Sequence, residues 1–306
     1  MQFQIKPENQ SERLDKFLTA ELKISRSKIQ KLIKEGKILI NGKKVTPHFF
    51  LHENDKIKIS DKDVRVEKKS KELKPNKKVK FKVVYEDDNI LVIDKPAGLL
   101  VHPTDKMESD TLVNGLLAYY PKLKNIGEDK MRPGIVHRLD KDVSGLMLAC
   151  KTQKAFAYFK KQFQDRKIKK IYTALVHNPM ERMEGTIDLP LERSKTEGKM
   201  LVKTRDQGGK EAITKYAVIK NFQNFALLEV QIETGRTHQI RTHFNFLNHP
   251  VVGDKLYQQK KVKANIELDR PFLHSSKLGF KNSDGKYLEF ESKLPIKLSK
   301  ILKQIK

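Results

Sequence analysis

The first part of the chain combines two helical patterns with short strand patterns. Apolar residues spaced for one face of a helix occur at residues 14–22 and again at 29–33. The dipeptide Asn41-Gly42 then separates two short apolar segments, which is a strong hairpin signal. Residues 55–59 alternate between polar and apolar side chains, as a further strand would. These patterns predict a small α+β domain over residues 1–65.

From residue 81 onward, strand patterns dominate. They cover residues 83–85, 90–93, 168–177, 186–189, 200–205, 212–221 and 225–233, with two more near Phe272 and Leu288. Helical spacing occurs at 111–120 and from Thr152 to about Arg166. Many strands with few helices predict a mixed α+β domain over residues 81–306. Residues 66–80 are charged, with few apolar groups and a proline, which predicts a basic linker.

The net charge of the protein indicates what kind of partner it binds. The 306 residues contain 63 Lys+Arg and 38 Asp+Glu, a net charge of +25, which is typical of proteins that bind a polyanion. A solubilising lysine-rich surface is the alternative. Residues 1–80 alone hold 22 Lys+Arg and 11 Asp+Glu, or 22 − 11 = +11, so we interpret the first domain and the linker as an electrostatic docking arm.

The sequence also bounds the compartment. No apolar run approaches the length that spans a membrane, and the N-terminal residues lack the apolar core of a signal peptide. The single cysteine, Cys150, excludes an internal disulfide framework and a cysteine-based zinc site. We therefore expect a cytoplasmic protein with no membrane partner.

One polar stretch lies between segments that favour burial. It follows the turn pair Pro133-Gly134 and precedes the apolar run Leu146–Ala149. Within it, Asp140 has a cation on either side, Arg138 and Lys141. Nearby cations keep a carboxylate ionised, which suits a nucleophile or a base. The alternative is an ordinary loop aspartate that caps the next segment or sits in a turn.

Four motifs resemble those of the RluA family of RNA pseudouridine synthases, in the order in which they occur in that family. They are Ile93-Asp94-Lys95-Pro96-Ala97-Gly98, His137-Arg138-Leu139-Asp140, Lys170-Ile171-Tyr172-Thr173-Ala174-Leu175-Val176 and Thr234-Gly235-Arg236-Thr237-His238-Gln239-Ile240-Arg241-Thr242-His243. The ordered set, spread over about residues 81–294, is more specific than any single motif. The first domain is similar to the S4 RNA-binding domain, because two helices with a basic face precede the Asn-Gly hairpin.

This resemblance implies a fold and a reaction. The fold would be a bent, mostly antiparallel mixed sheet with flanking helices, preceded by the small S4-like domain. The reaction would turn uridine in RNA into pseudouridine: the N1–C1′ bond breaks, the uracil turns over and C5 joins C1′. The target nucleotide must leave its stack, as in other enzymes that act on a base. An isomerisation of this kind implies no metal, redox group or nucleotide cofactor.

The resemblance also assigns roles to residues. Asp140 matches the catalytic carboxylate, and Arg241 matches the arginine that pairs with it. Tyr172 matches the aromatic residue that stacks on uracil and can assist proton removal at C5. Arg138 matches a residue that occupies the space of the flipped base. Lys95, Arg236 and His238 are weaker matches, expected to contact RNA or to support their motifs. Further RNA contacts are expected from the basic face of the first domain at Arg26, Lys31 and Lys34.

The expected substrate is large-subunit (23S) ribosomal RNA, free or in an assembling large subunit. Within the family, the chain looks most like the large-subunit rRNA enzymes of the RluD type, on residues 134–142, on Val252-Gly253-Asp254 and on the first domain itself. We expect the protein to act as a monomer.

Two other functional classes remain as alternatives. A non-catalytic RNA-binding protein, such as a ribosome-assembly factor, would carry the same charge but would not need Asp140, Tyr172 and Arg241 together. A metal-dependent RNA hydrolase would need several carboxylates beside its histidines, whereas here arginines are interleaved with them. Its candidate ligands would be His102, His137, His238 and His243. Activity in the presence of a chelator separates that class from the synthase.

Overall fold

The computed structural model describes residues 1–22, 24, 26–59, 72–104, 106–194, 196–257 and 266–305. The chain divides into two compact units, Met1–Lys71 and Glu72–Lys306. No helix among the described residues is long and apolar enough to cross a membrane.

The described part of the first unit is a four-stranded antiparallel sheet with two helices. Its elements are β1 (Gln2–Gln4), α1 (Leu14–Leu22), α2 (Arg26–Lys34), β2 (Ile38–Ile40), β3 (Lys43–Lys44) and β4 (Lys56–Ile59), and the strand order is β1-β4-β2-β3. Asn41 and Gly42 both have positive φ, 50° and 77°, as a tight two-residue hairpin turn requires. The apolar faces of both helices and the inward residues of the strands form one core. The predicted helices, hairpin and last strand are confirmed.

The second unit is built on one large sheet. Its elements are β5 (Lys82–Glu86), β6 (Ile90–Lys95), α3 (Leu112–Tyr119), β7 (Ser144–Cys150), α4 (Gln153–Gln164), β8 (Lys169–His177), β9 (Glu184–Asp188), β10 (Leu191–Arg193), β11 (Met200–Val202), β12 (Ile213–Asn221), β13 (Phe225–Ile232), α5 (Gln239–Phe246), β14 (Leu273–Lys281), β15 (Tyr287–Glu291) and α6 (Ile296–Gln304). Nine of the described strands pair in the order β5-β6-β7-β14-β8-β13-β12-β9, with β15 on β14. Among these nine, only β7 and β14 pair in parallel, so the predicted mostly antiparallel α+β fold is confirmed.

Alternate residues of the central strands belong to different cores. Leu91 and Ile93 of β6 pack in a cluster with α3, whereas Ile90 and Val92 pack in a second cluster with α4. All seven residues of β7 are buried. A strand covered on both faces has a continuous apolar sequence without alternation. For this reason Leu146–Ala149 gave only an apolar run and no strand prediction.

Two helices were not predicted, α5 and α6. The buried residues of α5 include Gln239, Arg241, Thr242 and His243. Because the buried face of this helix is largely polar, the apolar spacing that marks an amphipathic helix is missing. The side chains of α5 instead form hydrogen bonds, several of them at the candidate site.

The predicted linker is shorter than expected at its C-terminal end. Residues 66–71 lie outside the described residues, but 72–80 belong to the second unit. Leu73 is buried in its main core. The Asn76 amide donates to the Asn114 carbonyl at 2.8 Å, and the Asn114 side chain donates to the Lys74 carbonyl at 2.8 Å. One leucine and a few backbone hydrogen bonds hold this polar segment, so its composition did not reveal its packing.

Candidate active site

The loop before β7 presents Asp140 at the edge of the core. Leu139 and Val143 on either side are buried, whereas the Asp140 side chain remains 18% exposed. The Lys141 carbonyl accepts hydrogen bonds from the Gly98 amide at 2.9 Å and from the Lys95 ammonium at 3.0 Å. The buried side chains of Leu139 and Val143, together with the hydrogen bonds from the first motif to Lys141, therefore hold the Asp140 carboxylate in place.

The burial of Lys95 favours support of the motif over a contact with RNA. Its side chain is fully buried, and its Nζ donates to the carbonyls of Pro96, Leu99 and Lys141 at 2.8, 2.9 and 3.0 Å. An ammonium group has three donors, and here all three are used inside the protein. Burial, followed by the charge of Arg270, lowers the pKa of Lys95 to about 7. Lys95 joins the first motif to the loop of Asp140.

Arg241 brings two carboxylates together. Its Nη1 donates to Asp140 Oδ2 at 3.2 Å, while Nε and Nη2 donate to Asp254 Oδ2 and Oδ1 at 2.6 and 2.8 Å. Burial alone would lower the pKa of Arg241, but the hydrogen bonds and charges of Asp254 and Asp140 outweigh it and raise the pKa. The guanidinium group therefore stays charged and directed at Asp140.

Asp254 is a functional residue that the sequence reasoning did not assign. Its side chain is completely buried, and Oδ1 also accepts from the backbone amides of Leu256 and Tyr257 at 3.1 and 3.2 Å. The Tyr257 ring lies 5.1 Å from the guanidinium carbon of Arg241. In the sequence, Val252-Gly253-Asp254 counted only toward the resemblance to the RluD-type enzymes, and Asp254 received no role of its own.

Tyr172 lies at the centre of the sheet, on β8 between β13 and β14. It pairs with Val230 on one side and Ser275 on the other. Burial and the negative charge of Asp140 raise the pKa of the Tyr172 phenol. The ring lines the same pocket as Asp140. At neutral pH Tyr172 therefore offers a protonated hydroxyl and an aromatic face.

A glycine allows the strand after Asp140 to approach this tyrosine. Gly145 has φ of 116°, and a Cβ at this position would overlap the Ser275 carbonyl oxygen. Ser275 is the residue opposite Tyr172. A side chain at residue 145 would separate β7 from β14, and with it the loop of Asp140 from Tyr172.

A buried histidine positions Arg138. His102 Nδ1 lies 3.0 Å from the Pro103 carbonyl, and its Nε2 lies 3.1 Å from Nη1 of Arg138. Burial lowers the pKa of His102, so the neutral ring donates from Nδ1 and accepts the arginine proton at Nε2. The sequence analysis considered His102 only as a metal ligand.

His238 and Arg236 lie on the loop that leads into α5. His238 has φ of 53° at the start of the helix; its Nε2 is 3.9 Å from Asp140 Oδ2 and its Nδ1 is 3.1 Å from the Tyr257 hydroxyl. Burial lowers the pKa of His238. The buried Gln239 side chain accepts from the Arg236 amide at 3.0 Å and holds the loop.

Six of the residues predicted for the catalytic domain line one pocket, and Lys95 is the exception. They are Arg138, Asp140, Tyr172, Arg236, His238 and Arg241. Apolar side chains complete the walls, including Leu139, Val143, Ile232 and Leu273. The pocket thus combines one carboxylate, a fixed guanidinium group, an aromatic face and a largely apolar lining.

Of the residues predicted to bind RNA in the first unit, Arg26 belongs to a second ionic cluster. The buried Asp15 accepts hydrogen bonds from Arg13, from Arg26 at 2.9 Å and from Gln30 at 2.7 Å. Burial on its own would raise the pKa of Asp15, but these three donors lower it. Lys31 and Lys34 are exposed on the same helix, and Lys31 lies 3.7 Å from Glu35.

The histidines considered as metal ligands serve other purposes. His137 accepts the Leu148 amide at 2.8 Å, and burial lowers its pKa to about 3. His243 contacts the Thr214 hydroxyl and the Leu189 carbonyl, each at 2.9 Å. In the part of the chain that the structure describes, no three histidine, cysteine, aspartate or glutamate side chains are placed to hold a metal ion.

Comparisons with known proteins show which family the chain is similar to. The RNA pseudouridylate synthase family model matches residues 89–246, and the S4 domain model matches residues 12–57. An uncharacterized RNA pseudouridine synthase of Bacillus subtilis is 37% identical over 306 residues, covering 98% of this chain and 96% of the relative. The ribosomal large subunit pseudouridine synthase D of Borreliella burgdorferi is 35% identical over 301 residues, covering 95% and 90%.

A solved structure shows the same fold. Human RNA pseudouridylate synthase domain containing 4 aligns with a TM-score of 0.58 at 24% identity, over 73% of this chain and 93% of that protein. The family model includes the loop of Asp140, the strand of Tyr172 and the helix of Arg241. The chain belongs to the RNA pseudouridylate synthase family and carries an S4 domain in its first unit.

Proposed function

We propose that this protein isomerises uridine to pseudouridine in large-subunit ribosomal RNA, with Asp140 as the catalytic carboxylate. The observation that carries the proposal is the arrangement of Asp140, Arg241 and Tyr172 in one pocket, with Arg241 Nη1 3.2 Å from Asp140 Oδ2. A pocket that only bound RNA would have no use for a half-buried carboxylate, which repels phosphate.

The pocket supplies the chemical groups that the reaction requires. The N1–C1′ bond breaks, a C5–C1′ bond forms, the proton on C5 is lost and N1 gains one, so no atom enters or leaves overall. The Asp140 carboxylate acts at the sugar as a nucleophile or a base. Arg241 holds this carboxylate in one direction, because a bidentate pair with Asp254 fixes the guanidinium plane.

Tyr172 contributes a surface for the detached uracil. Because burial and Asp140 raise its pKa, the phenol remains protonated and is not a base at neutral pH. Its ring and the apolar wall residues Leu139, Val143 and Ile232 enclose a planar base. Arg138, held by His102, occupies the pocket wall where a planar cation stacks in place of the flipped nucleotide.

Two further observations support ribosomal RNA as the substrate. Relatives from Borreliella burgdorferi and Zymomonas mobilis, 35% and 37% identical to this chain, are named ribosomal large subunit pseudouridine synthase D. The net charge of +25 and the S4 domain fit a large polyanionic partner. We place the target in 23S rRNA or in the assembling large subunit.

The test follows a tritium label at C5 of uridine. Isomerisation releases that hydrogen, so incubation of the protein with labelled large-subunit rRNA from its own source should transfer tritium to water, with chelator present. Mapping pseudouridines in rRNA from a deletion strain should show specific sites lost. An absence of tritium release from this rRNA, with the protein folded and bound, would rule the proposal out.

A further inference from the structure

A second cavity, of about 470 Å³, adjoins the catalytic pocket. The two share wall residues, namely Arg138, Tyr172, Ile232, Gly235 and Arg236. An RNA strand that places one nucleotide in the catalytic pocket can therefore continue directly into the second cavity. We call this cavity the basic chamber, after five of its lining residues: Arg138, Lys160, Arg166, Lys170 and Arg236.

The chamber carries a strong excess of positive charge. Its five cations face one acidic lining residue, Glu233, whose carboxylate is paired with Lys215 at 2.5 Å. At the rim, Lys160 is paired with Glu128 and Arg166 with Glu211. Because Lys170 shows no such carboxylate partner among the described residues, it contributes a positive charge that is not locally neutralised.

Lys170 is buried but sparsely hydrogen-bonded. It is 6% exposed, and its Nζ has one acceptor among the described residues, the Glu233 carbonyl, at 3.3 Å. The Phe163 ring lies 5.7 Å away. Lys95, buried to a similar degree, has three carbonyl acceptors at 2.8 to 3.0 Å. A buried ammonium with unused donors is costly unless a ligand supplies the missing acceptors.

The strand geometry relates Lys170 to the catalytic site. Lys170 and Tyr172 are two residues apart on β8, so their side chains project from the same face of the sheet. At the usual rise per residue of a strand they are separated by roughly 7 Å along it. That separation is on the scale of one nucleotide step in an extended RNA strand.

We propose that the basic chamber binds the phosphodiester of a nucleotide next to the target uridine, with Lys170 as the buried contact and Arg166 as a contact at the rim. The inference rests on the proposed function and adds the course of the flanking RNA strand. A phosphate oxygen would give the ammonium the acceptors it lacks, and Phe163 offers an apolar surface beside it.

The test compares two neighbouring lysines. Lys170→Met removes the proposed phosphate contact. Lys169→Met removes the same charge from the same strand, but Lys169 projects from the opposite face and pairs with Glu289 at 3.0 Å. We expect Lys170→Met to raise KM for RNA about ten- to hundred-fold, the range for one charge-assisted hydrogen bond, with a smaller effect on kcat. It should also lower the salt slope of log affinity by about 0.7. Lys169→Met should leave both near wild type.

Thermal melting checks that the rise in KM does not come from a loss of stability. Because methionine replaces a poorly partnered buried charge, Lys170→Met should melt no lower than wild type.

The variant Arg166→Gly provides a second test of the phosphate contact. Arg166 has φ of 57°, which glycine adopts without strain, and its loss should raise KM by a smaller factor than that of Lys170.

Several outcomes would overturn the inference. Equal KM changes in Lys170→Met and Lys169→Met would show a general charge effect. A wild-type salt slope in both Lys170→Met and Arg166→Gly would show that neither contacts phosphate. If Lys170→Met fails to fold, Arg166→Gly alone decides. If the basic chamber does not bind phosphate, the wild-type protein still releases tritium. If the proposed function is wrong, the wild-type protein releases none.

Discussion

The two units contain ionic clusters with opposite composition. In the first unit, one buried carboxylate, Asp15, holds two guanidinium groups, Arg13 and Arg26. In the second, one buried guanidinium group, Arg241, holds two carboxylates, Asp140 and Asp254. The first cluster has a formal charge of +1 and the second of −1. In both, the central charge is buried and its partners fix its position.

The surplus charge indicates what each cluster offers to RNA. Around Asp15 the arginine side chains are 27% and 43% exposed, and they suit phosphate contacts. Around Arg241 the Asp254 carboxylate is fully buried, whereas Asp140 is 18% exposed and lines a pocket. Under the proposed function, the first cluster would serve electrostatic binding and the second would serve chemistry, with the buried central group as the positioning group in each.

Breaking the Arg241 cluster should have the largest effect. Arg241→Met leaves Asp254 buried and unpaired, at a cost of about 3–5 kcal/mol in the free energy of unfolding. The variant also removes the guanidinium group that orients Asp140, which should slow turnover roughly 100-fold or more. Urea unfolding and single-turnover tritium release measure the two effects.

The double variant Arg241→Met/Asp254→Leu separates these effects. Replacing both members of a buried pair by apolar residues often restores stability. The double variant should therefore unfold near the wild-type urea concentration while turnover remains lost. Recovery of turnover together with stability would show that Arg241 supports only the fold.

Lys95 provides a reference, because it is a buried cation held by carbonyls without a carboxylate. Lys95→Met leaves three buried carbonyls without their donor, each at a cost of about 1 kcal/mol or more. We expect a loss of about 3 kcal/mol in the free energy of unfolding and an unchanged RNA affinity for the folded protein. A weaker RNA affinity with no loss of stability would instead support an RNA-binding role for Lys95.

Asp15→Asn tests the first cluster and its pH dependence. The variant should lose about 2 kcal/mol of local stability at neutral pH, because three donors lose a charged acceptor. The folded pKa of Asp15 lies below its unfolded value of about 3.9. Its contribution is therefore present above about pH 4 and is lost as the pH falls below that value. Hydrogen exchange in α1 and α2 should differ between the proteins at neutral pH and converge in acid.

Removing residues 1–71 should have the smallest effect on chemistry. Turnover at saturating RNA should persist, since Asp140, Tyr172 and Arg241 all belong to the second unit. RNA affinity should fall, and its salt slope should flatten by about 0.7 to 0.9 for each phosphate that the shortened protein no longer neutralises. Filter binding over a salt series measures both. An unchanged slope would show that Arg26, Lys31 and Lys34 are only a solvated surface.

A second truncation tests where the catalytic unit begins. Removing residues 1–80 also deletes Leu73 and the hydrogen bonds between Asn76 and Asn114. Burial of one leucine and a few hydrogen bonds predicts a further loss of about 2–3 kcal/mol from the catalytic unit. Equal stability of the two truncated proteins would show that 72–80 contribute nothing to it.

The motifs predicted which residues meet in the pocket better than they predicted how the buried lysines are held. Asp140, Tyr172 and Arg241 lie together as the resemblance implied. Lys95 and Lys170 both occur in strands, and nothing local distinguishes them. What separates them is the supply of carbonyl acceptors, and one of those, at Lys141, comes from a loop 46 residues away. An interaction of that kind leaves no periodic pattern.

The buried partners Asp254 and His102 were not predicted from the sequence, for a related reason. Sequence patterns identify buried positions by apolar spacing, but α5 is buried through polar residues that form specific hydrogen bonds. Asp254 and His102 have the same character: each is a polar side chain whose burial is compensated by such bonds. Their positions follow from the tertiary structure, since the partners lie on different elements.

The most direct test of the account is the activity of Asp140→Asn, with Asp142→Asn as its control. Both changes neutralise an aspartate of the same loop, but Asp142 is exposed and lines neither cavity. Single-turnover tritium release and RNA affinity are measured for each. The account predicts that Asp140→Asn binds RNA but releases tritium on the order of 100-fold more slowly, whereas Asp142→Asn keeps its rate. Asp140→Asn turning over at the rate of Asp142→Asn would contradict it.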